Sequence, residues 1–75
     1  MKIEVLGSGC AKCKLLEANV REAVQKAGIE ADIQKVTDME KIMEYGVMMT
    51  PGLVIDGVVK STGKVLKADD IAEML

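Results

Sequence analysis

Seven consecutive residues, Gly7-Ser8-Gly9-Cys10-Ala11-Lys12-Cys13, restrict this chain more than any other stretch. They hold both of its cysteines. They follow a short apolar run (Ile3, Val5, Leu6) and open an amphipathic segment that continues to Ala27. A Cys-x-x-Cys placed where a strand turns into a helix reads as a redox motif or a metal loop. It makes a poor structural staple, because the stabilisation from a bridge grows with the loop it closes and this loop is minimal. In a reducing compartment such a bridge is disfavoured further. The pair is therefore there for reactivity or for metal.

The elements around the motif follow from periodicity. Lys2 to Leu6 alternates, with Ile3 and Val5 on one face, and predicts a first strand with Glu4 on its exposed side. Gly7 and Gly9 loosen the backbone ahead of the cysteines. From Cys13 onward Leu16, Val20, Ala23, Val24 and Ala27 recur at helical spacing. Glu17 with Arg21 and Glu22 with Lys26 form i,i+4 pairs on the other face, and Gly28 stands where a helix-ending glycine belongs. Ile29 to Val36 predicts a half-buried strand. Strand, helix, strand is a βαβ unit, with a right-handed crossover and parallel strands.

Thr37-Asp38-Met39-Glu40 matches a capping box with Thr37 as the cap. It opens a short helix in which Met39, Ile42 and Met43 share a face, and Gly46 stops it. Gly52 to Ile55 predicts a strand. Asp56-Gly57 is a type I′ hairpin signal leading into Val58 to Lys60. Ser61 to Lys64 reads as a loop, and Ala68 to Leu75 as a final helix with Asp69 and Asp70 at its positive end. The order is βαβαββα, an α/β fold with a four-stranded mixed sheet and three helices. No repeat, linker or composition shift divides it, so residues 1–75 are expected to form a single domain.

Composition narrows the function classes. The chain has 75 residues with one Tyr, no Phe and no Trp. Its core must come from aliphatic side chains and Met, and it has nothing on which nucleobases would stack. A net charge of −2 with acid and base interspersed argues against nucleic acid and anionic membrane as partners. The start of the chain lacks the apolar run of a signal peptide, and no segment approaches a membrane span. A soluble cytoplasmic protein is expected.

The chemistry of the pair follows from its place. Only a thiolate attacks a disulfide, and an ordinary Cys titrates near pH 8.5. Cys10 is predicted at the N-cap or first turn of the helix, where unpaired N–H groups and the helix dipole favour negative charge. Lys12 adds a positive charge nearby. Cys13 lies one turn on, more shielded. Cys10 is thus expected to attack and Cys13 to resolve: Cys13 displaces the substrate thiol from the mixed disulfide and closes the internal bridge. No His is present. Ser8 has no partner base and reads as a loop residue.

With Gly9-Cys10-Ala11-Lys12-Cys13, Thr50-Pro51-Gly52-Leu53-Val54-Ile55-Asp56-Gly57 and Gly63-Lys64 in this order, nearly the whole chain resembles the thioredoxin fold. It looks most like its smallest members, the thioredoxin- or glutaredoxin-like redox-active disulfide proteins. The resemblance implies a minimal thioredoxin-like fold and a dithiol–disulfide oxidoreductase or electron carrier that needs no cofactor. Its implied partners are protein disulfides and an upstream reductase, and a monomer is expected. It further implies that Pro51 is cis and stands beside the cysteines, that Thr50 pairs with a substrate backbone, and that Gly9, Ala11 and Lys12 shape the site. The chain departs from its larger relatives. Ala11-Lys12 replaces the Gly-Pro of thioredoxins, no Trp precedes Cys10, and Ser61-Thr62-Gly63 stands where glutaredoxins carry a Gly-Gly element. The buried acidic residue of thioredoxin has no evident counterpart, because the middle of the first strand offers only Glu4, expected on its exposed face.

The rival class is a soft-metal module holding Cu(I) or Zn through the same two cysteines. Heavy-metal-associated domains also open with a strand and a Gly-x-x-Cys-x-x-Cys loop. They follow the first helix with two strands, however, whereas Thr37 to Tyr45 reads as a helix here, and they need no Thr-Pro step. A third class is an interaction scaffold with a vestigial pair. Met48 and Met49 are compatible with core filling or with an apolar rim beside Pro51. Tyr45 reads as a partly buried helix-end residue, and Lys14, Lys35, Lys41 and Lys60 as solvated faces.

Overall fold

The computed structural model describes residues 1–7, 9 and 11–75. Their elements run β1 (Lys2–Leu6), α1 (Ala11–Ala27), β2 (Asp32–Val36), α2 (Met39–Glu44), β3 (Gly52–Ile55), β4 (Val58–Thr62) and α3 (Ala68–Glu73). The sheet order is β2-β1-β3-β4. β1 pairs in parallel with β2 and antiparallel with β3, so the strand leading into the cysteines lies at the centre.

Two apolar layers hold the sheet. Ile3, Val5, Leu53 and Ile55 pack on one face against Leu16, Val20 and Ala23 of α1 and Ala68 and Ile71 of α3. Each fully buried Leu or Ile of this kind contributes about 1.5–3 kcal/mol of transfer free energy. On the other face Leu6, Val36 and Val54 pack with Ile42 of α2 and with Val47. Burying both faces of a sheet under helices is the usual way such a layer sheds water.

Helix ends follow local rules. Gly28, at φ +66°, donates to Gln25 O (3.2 Å) and Ile29 donates to Val24 O (3.4 Å). This is the paired closure of a Schellman motif. Gly46 ends α2 in the same manner. The cap of α2 is Asp38, not Thr37. The Asp38 backbone is extended and its Oδ1 accepts from Glu40 N at 3.0 Å, the short-range bond an Asx cap makes. Because α2 has only six residues, one buried position suffices. Ile42 takes it, while Met39 and Met43 lie exposed instead of sharing a buried face.

The hairpin forms at Asp56 (φ +48°) and Gly57 (φ +82°), the two left-handed positions a type I′ turn requires. Asp56 also clamps the start of β1: its Oδ1 accepts from Lys2 N and its N–H donates to Lys2 O, both at 2.8 Å. Strand β4 runs past Lys60 through Ser61 and Thr62, two residues the sequence assigns to a loop. Leu53 pairs with Ser61 and Val54 with Val59, so Lys60 is an inserted bulge residue that lets pairing continue.

Glu4 is the largest correction. It does alternate away from Ile3 and Val5, but the face it enters is covered, and the residue is only 7% exposed.

Candidate active site

Cys13 occupies the buried stripe of α1 with Leu16, Val20 and Ala23, positions that helical spacing places on one side. Its sulfur lies against the backbone at the end of β1. A Cβ built on Gly7 would overlap Cys13 Sγ and would stand 3.3 Å from Cys13 Cβ and 3.7 Å from Thr50 Cβ. Gly7 is therefore a spacer as well as a loosening residue. It also extends β1, donating its N–H to Val36 O at 2.9 Å. The absent side chain lets α1, β1 and the segment at Thr50 converge on one sulfur.

The Thr50–Pro51 peptide is cis. Pro51 is fully buried and Thr50 half-buried. Gly63 N donates to Pro51 O at 2.8 Å, tying this step to the end of β4. Met49 lies over Gly63, where a Cβ would stand 3.2 Å from Met49 Cβ. Met48 and Met49 are 88% and 66% exposed, so they are rim residues rather than core filling. Ala11 and Lys12 are exposed at the start of α1, and Gly9 is exposed with φ +86°. Thus Cys13, Gly7, Thr50 and Pro51 come together, with Gly9 on the wall of the adjoining cavity and Ala11 and Lys12 at the surface. Cys10 and Ser8, with the roles read for them in the sequence, lie outside the described residues.

A cavity of about 20 Å³ adjoins Cys13, lined by Val5, Gly7, Gly9, Lys14, Lys35 and Thr37. That is room for one water. Lys35 is not a detached surface charge: its Nζ lies 3.2 Å from Glu17 Oε1, and Glu17 Oε2 lies 3.4 Å from Arg21 Nε. Burial would raise the Glu17 carboxyl, but Lys35 and Arg21 together outweigh it and hold the group below its ordinary 4.5.

On the opposite face Tyr45, the C-cap of α2, donates its phenol hydrogen to Glu4 Oε1 at 2.7 Å, and Lys2 Nζ lies 3.9 Å from the same oxygen. The Glu4 bond, with burial second, pushes the Tyr45 phenol above its ordinary 10.0. Sequence reasoning missed this pair, the role of Gly7 and the Glu17–Lys35 contact. Only the Gly immediately after an apolar strand and six residues ahead of Cys13 offered a signal in advance.

Among the described residues no group of three His, Cys, Asp or Glu is placed to hold a metal ion. None of the described helices is long and apolar enough to cross a membrane.

A central strand leading into a helix whose first turn holds Cys13, with a cis Thr-Pro step beside the glycine that Cys13 rests on, defines the thioredoxin-fold class of thiol–disulfide oxidoreductases. Comparison with known proteins agrees. Residues 1–75 match the family described as thioredoxin domain. The chain is 44% identical to a thioredoxin of Methanothermobacter thermautotrophicus over all of its own length and 97% of the relative's. It is 42% identical to a thioredoxin of Methanocaldococcus jannaschii over 97% of this chain and 84% of that protein. A probable thioredoxin of Methanothermobacter marburgensis matches at 37% identity over 84% of this chain and 79% of the relative. The chain belongs to the thioredoxin family, and it is a dithiol–disulfide oxidoreductase.

Proposed function

We propose that residues 1–75 act as one unit that reduces or exchanges protein disulfides, with Cys10 attacking and Cys13 resolving. The observation that carries this reading is the burial of Cys13 beneath Gly7 and beside Thr50. A shielded second thiol suits attack on a neighbouring disulfide sulfur better than attack on an incoming substrate. In the cycle, the Cys10 thiolate attacks a substrate disulfide, forms a mixed disulfide and releases one substrate thiolate. The Cys13 thiolate then attacks Cys10 Sγ. The Cys10–substrate bond breaks, the second substrate thiolate leaves, and the internal bridge forms. The substrate disulfide gains two electrons, which an upstream reductase returns to the dithiol.

Thr50 would offer its backbone to the substrate chain beside the sulfur, Pro51 would shape that approach, and Lys12 would add positive potential at the start of α1. The likeness to thioredoxins supports a protein substrate and a reductase as partners; the same reading has the chain act in the cytoplasm as a monomer.

The test is trapping. Cys13→Ser is expected to accumulate mixed disulfides through Cys10, whereas Cys10→Ser accumulates none. Iodoacetamide labelling against pH should show Cys10 reacting first. A folded Cys13→Ser variant that traps nothing would remove the assignment. So would a native chain that forms no bridge and binds one equivalent of Cu(I) tightly, and that result would install the metal reading.

A further inference from the structure

We propose that Met48 and Met49 form a reversible oxidation site, at which a peroxide turns down the reduction of protein disulfides. The inference rests on the reading of Thr50 and Pro51 as the place where a substrate chain lies. In a chain without Phe or Trp, Met is the expected filler of an aliphatic core. Yet all six methionines are exposed, so packing does not account for them. Two of the six stand directly before Thr50, whose Cβ lies 3.7 Å from the point that a Gly7 Cβ would take against Cys13.

The two thioethers are held differently. Met48 is the most exposed large apolar side chain among the described residues and presents its sulfur to solvent. Met49 is exposed but anchored. A Cβ built on Gly63 would stand 3.2 Å from Met49 Cβ, 3.4 Å from its Cε and 3.7 Å from its Sδ, so the side chain lies along a glycine that leaves room for it. Gly63 N in turn donates to Pro51 O at 2.8 Å. The Met49 sulfur thus rests on the residue that ties the Thr50–Pro51 step to the end of β4.

A thioether needs no deprotonation before it reacts. Sδ attacks one oxygen of a hydroperoxide, an S–O bond forms and the O–O bond breaks. The proton of the attacked oxygen passes to the departing oxygen, which leaves as water or an alcohol. The sulfur loses two electrons and the peroxide gains them. The product is a polar, chiral sulfoxide that dedicated reductases return to the thioether. At Met48 it sets an S–O dipole on the surface beside Thr50, and at Met49 it must find space against Gly63 or turn the side chain away. Both changes fall where a substrate chain would lie, and covering an unpaired dipole there should weaken docking about fivefold.

Hydrogen peroxide is the probe. It is applied to the bridged form, in which the thiols are held as the disulfide, and a dithiol then reopens the bridge. Peptide mass mapping should find oxygen on Met48 and Met49 before Met74, the least exposed of the six at 37%, at a rate that does not change with pH. KM for the disulfides of insulin should rise about fivefold, while the rate with a small aromatic disulfide stays at its untreated value. A Met48→Leu, Met49→Leu double variant keeps two apolar side chains without an oxidisable sulfur. Its KM for insulin should be the same before and after peroxide, and a Met39→Leu, Met43→Leu control should respond as the native chain does. Three results overturn the inference and leave the dithiol mechanism standing: sulfoxides at 48 and 49 with no change in KM, a Met48→Leu, Met49→Leu variant that loses as much as the native chain, or thioethers there that outlast Met74. An untreated chain that reduces neither insulin nor the aromatic disulfide overturns the proposed function as well.

Discussion

Replacing Gly7 with Ala tests the convergence at Cys13 most directly. Gly7 is not among the residues at left-handed φ, so Ala adopts its backbone without strain. In open space the change would stabilise the fold by about 0.4–1 kcal/mol through the unfolded chain. The space is not open: the new methyl overlaps Cys13 Sγ and sits 3.3 Å from Cys13 Cβ. Overpacking of this kind costs about 1–3 kcal/mol. The net loss should be about 1–2 kcal/mol, which for a domain of this size lowers the melting temperature by roughly 5–15 °C. Circular dichroism melts of the reduced proteins measure it. The cause is isolated by a cycle with Cys13→Ala, which deletes Sγ. In that background Gly7→Ala should cost less, with a coupling of about 0.5–2 kcal/mol. Because the methyl displaces the sulfur itself, ring closure should also slow about ten- to a hundredfold. Equal losses in both backgrounds, or no loss in either, would refute the packing argument.

Two further perturbations address the rest of the scaffold. Tyr45→Phe leaves Glu4 buried with Lys2 at 3.9 Å as its ion-pair partner, so the variant should melt several degrees lower at neutral pH. The phenol is raised in the folded state, so its contribution is complete below its unfolded value of about 10 and is lost as pH rises through the higher folded value. The two melting curves should converge in strong alkali, and a gap that widens there would refute the assignment. Asp56→Ala loses both the side-chain bond to Lys2 N and a residue tolerant of positive φ. A loss of about 1–2 kcal/mol is expected in urea titrations, with Asp56→Asn recovering most of it.

Much of this molecule was legible in advance because its signals are local. β1, β3 and the Asp56-Gly57 turn fall where alternation and turn chemistry put them, and Gly28 ends α1 as a glycine at that spacing should. The cysteine pair and Thr50-Pro51 carried the family resemblance. What escaped depends on contacts between distant residues. Alternation turns Glu4 away from Ile3 correctly, yet only the fold reveals that α2 and Tyr45 roof that side. Thr37 and Asp38 are both competent caps, and the extended backbone at Asp38 decides between them. Met39 and Met43 match a helical stripe, but a six-residue helix lays down only Ile42. Lys35 reads as a surface charge until β2 carries it to Glu17. Gly7 reads as a loosener until Cys13 is seen resting on it.

The central place of β1 has a consequence for the order in which the molecule is completed. β1 is made before both of its neighbours, and the βα unit behind it gives it β2 earlier than β3. Its other edge waits for β3: Ile3 pairs with Ile55, and Lys2 with Asp56 across a separation of 54 residues. Closing so long a loop adds only about 0.6 kcal/mol per doubling of length, so the delay is one of availability more than of free energy. A nascent chain therefore holds an unpaired central edge, the feature that invites pairing with other chains. Its Cys13 meanwhile lacks the Thr50 segment that later stands beside it. Cys13 is therefore synthesised well before Thr50 and β3, the segments that complete its surroundings.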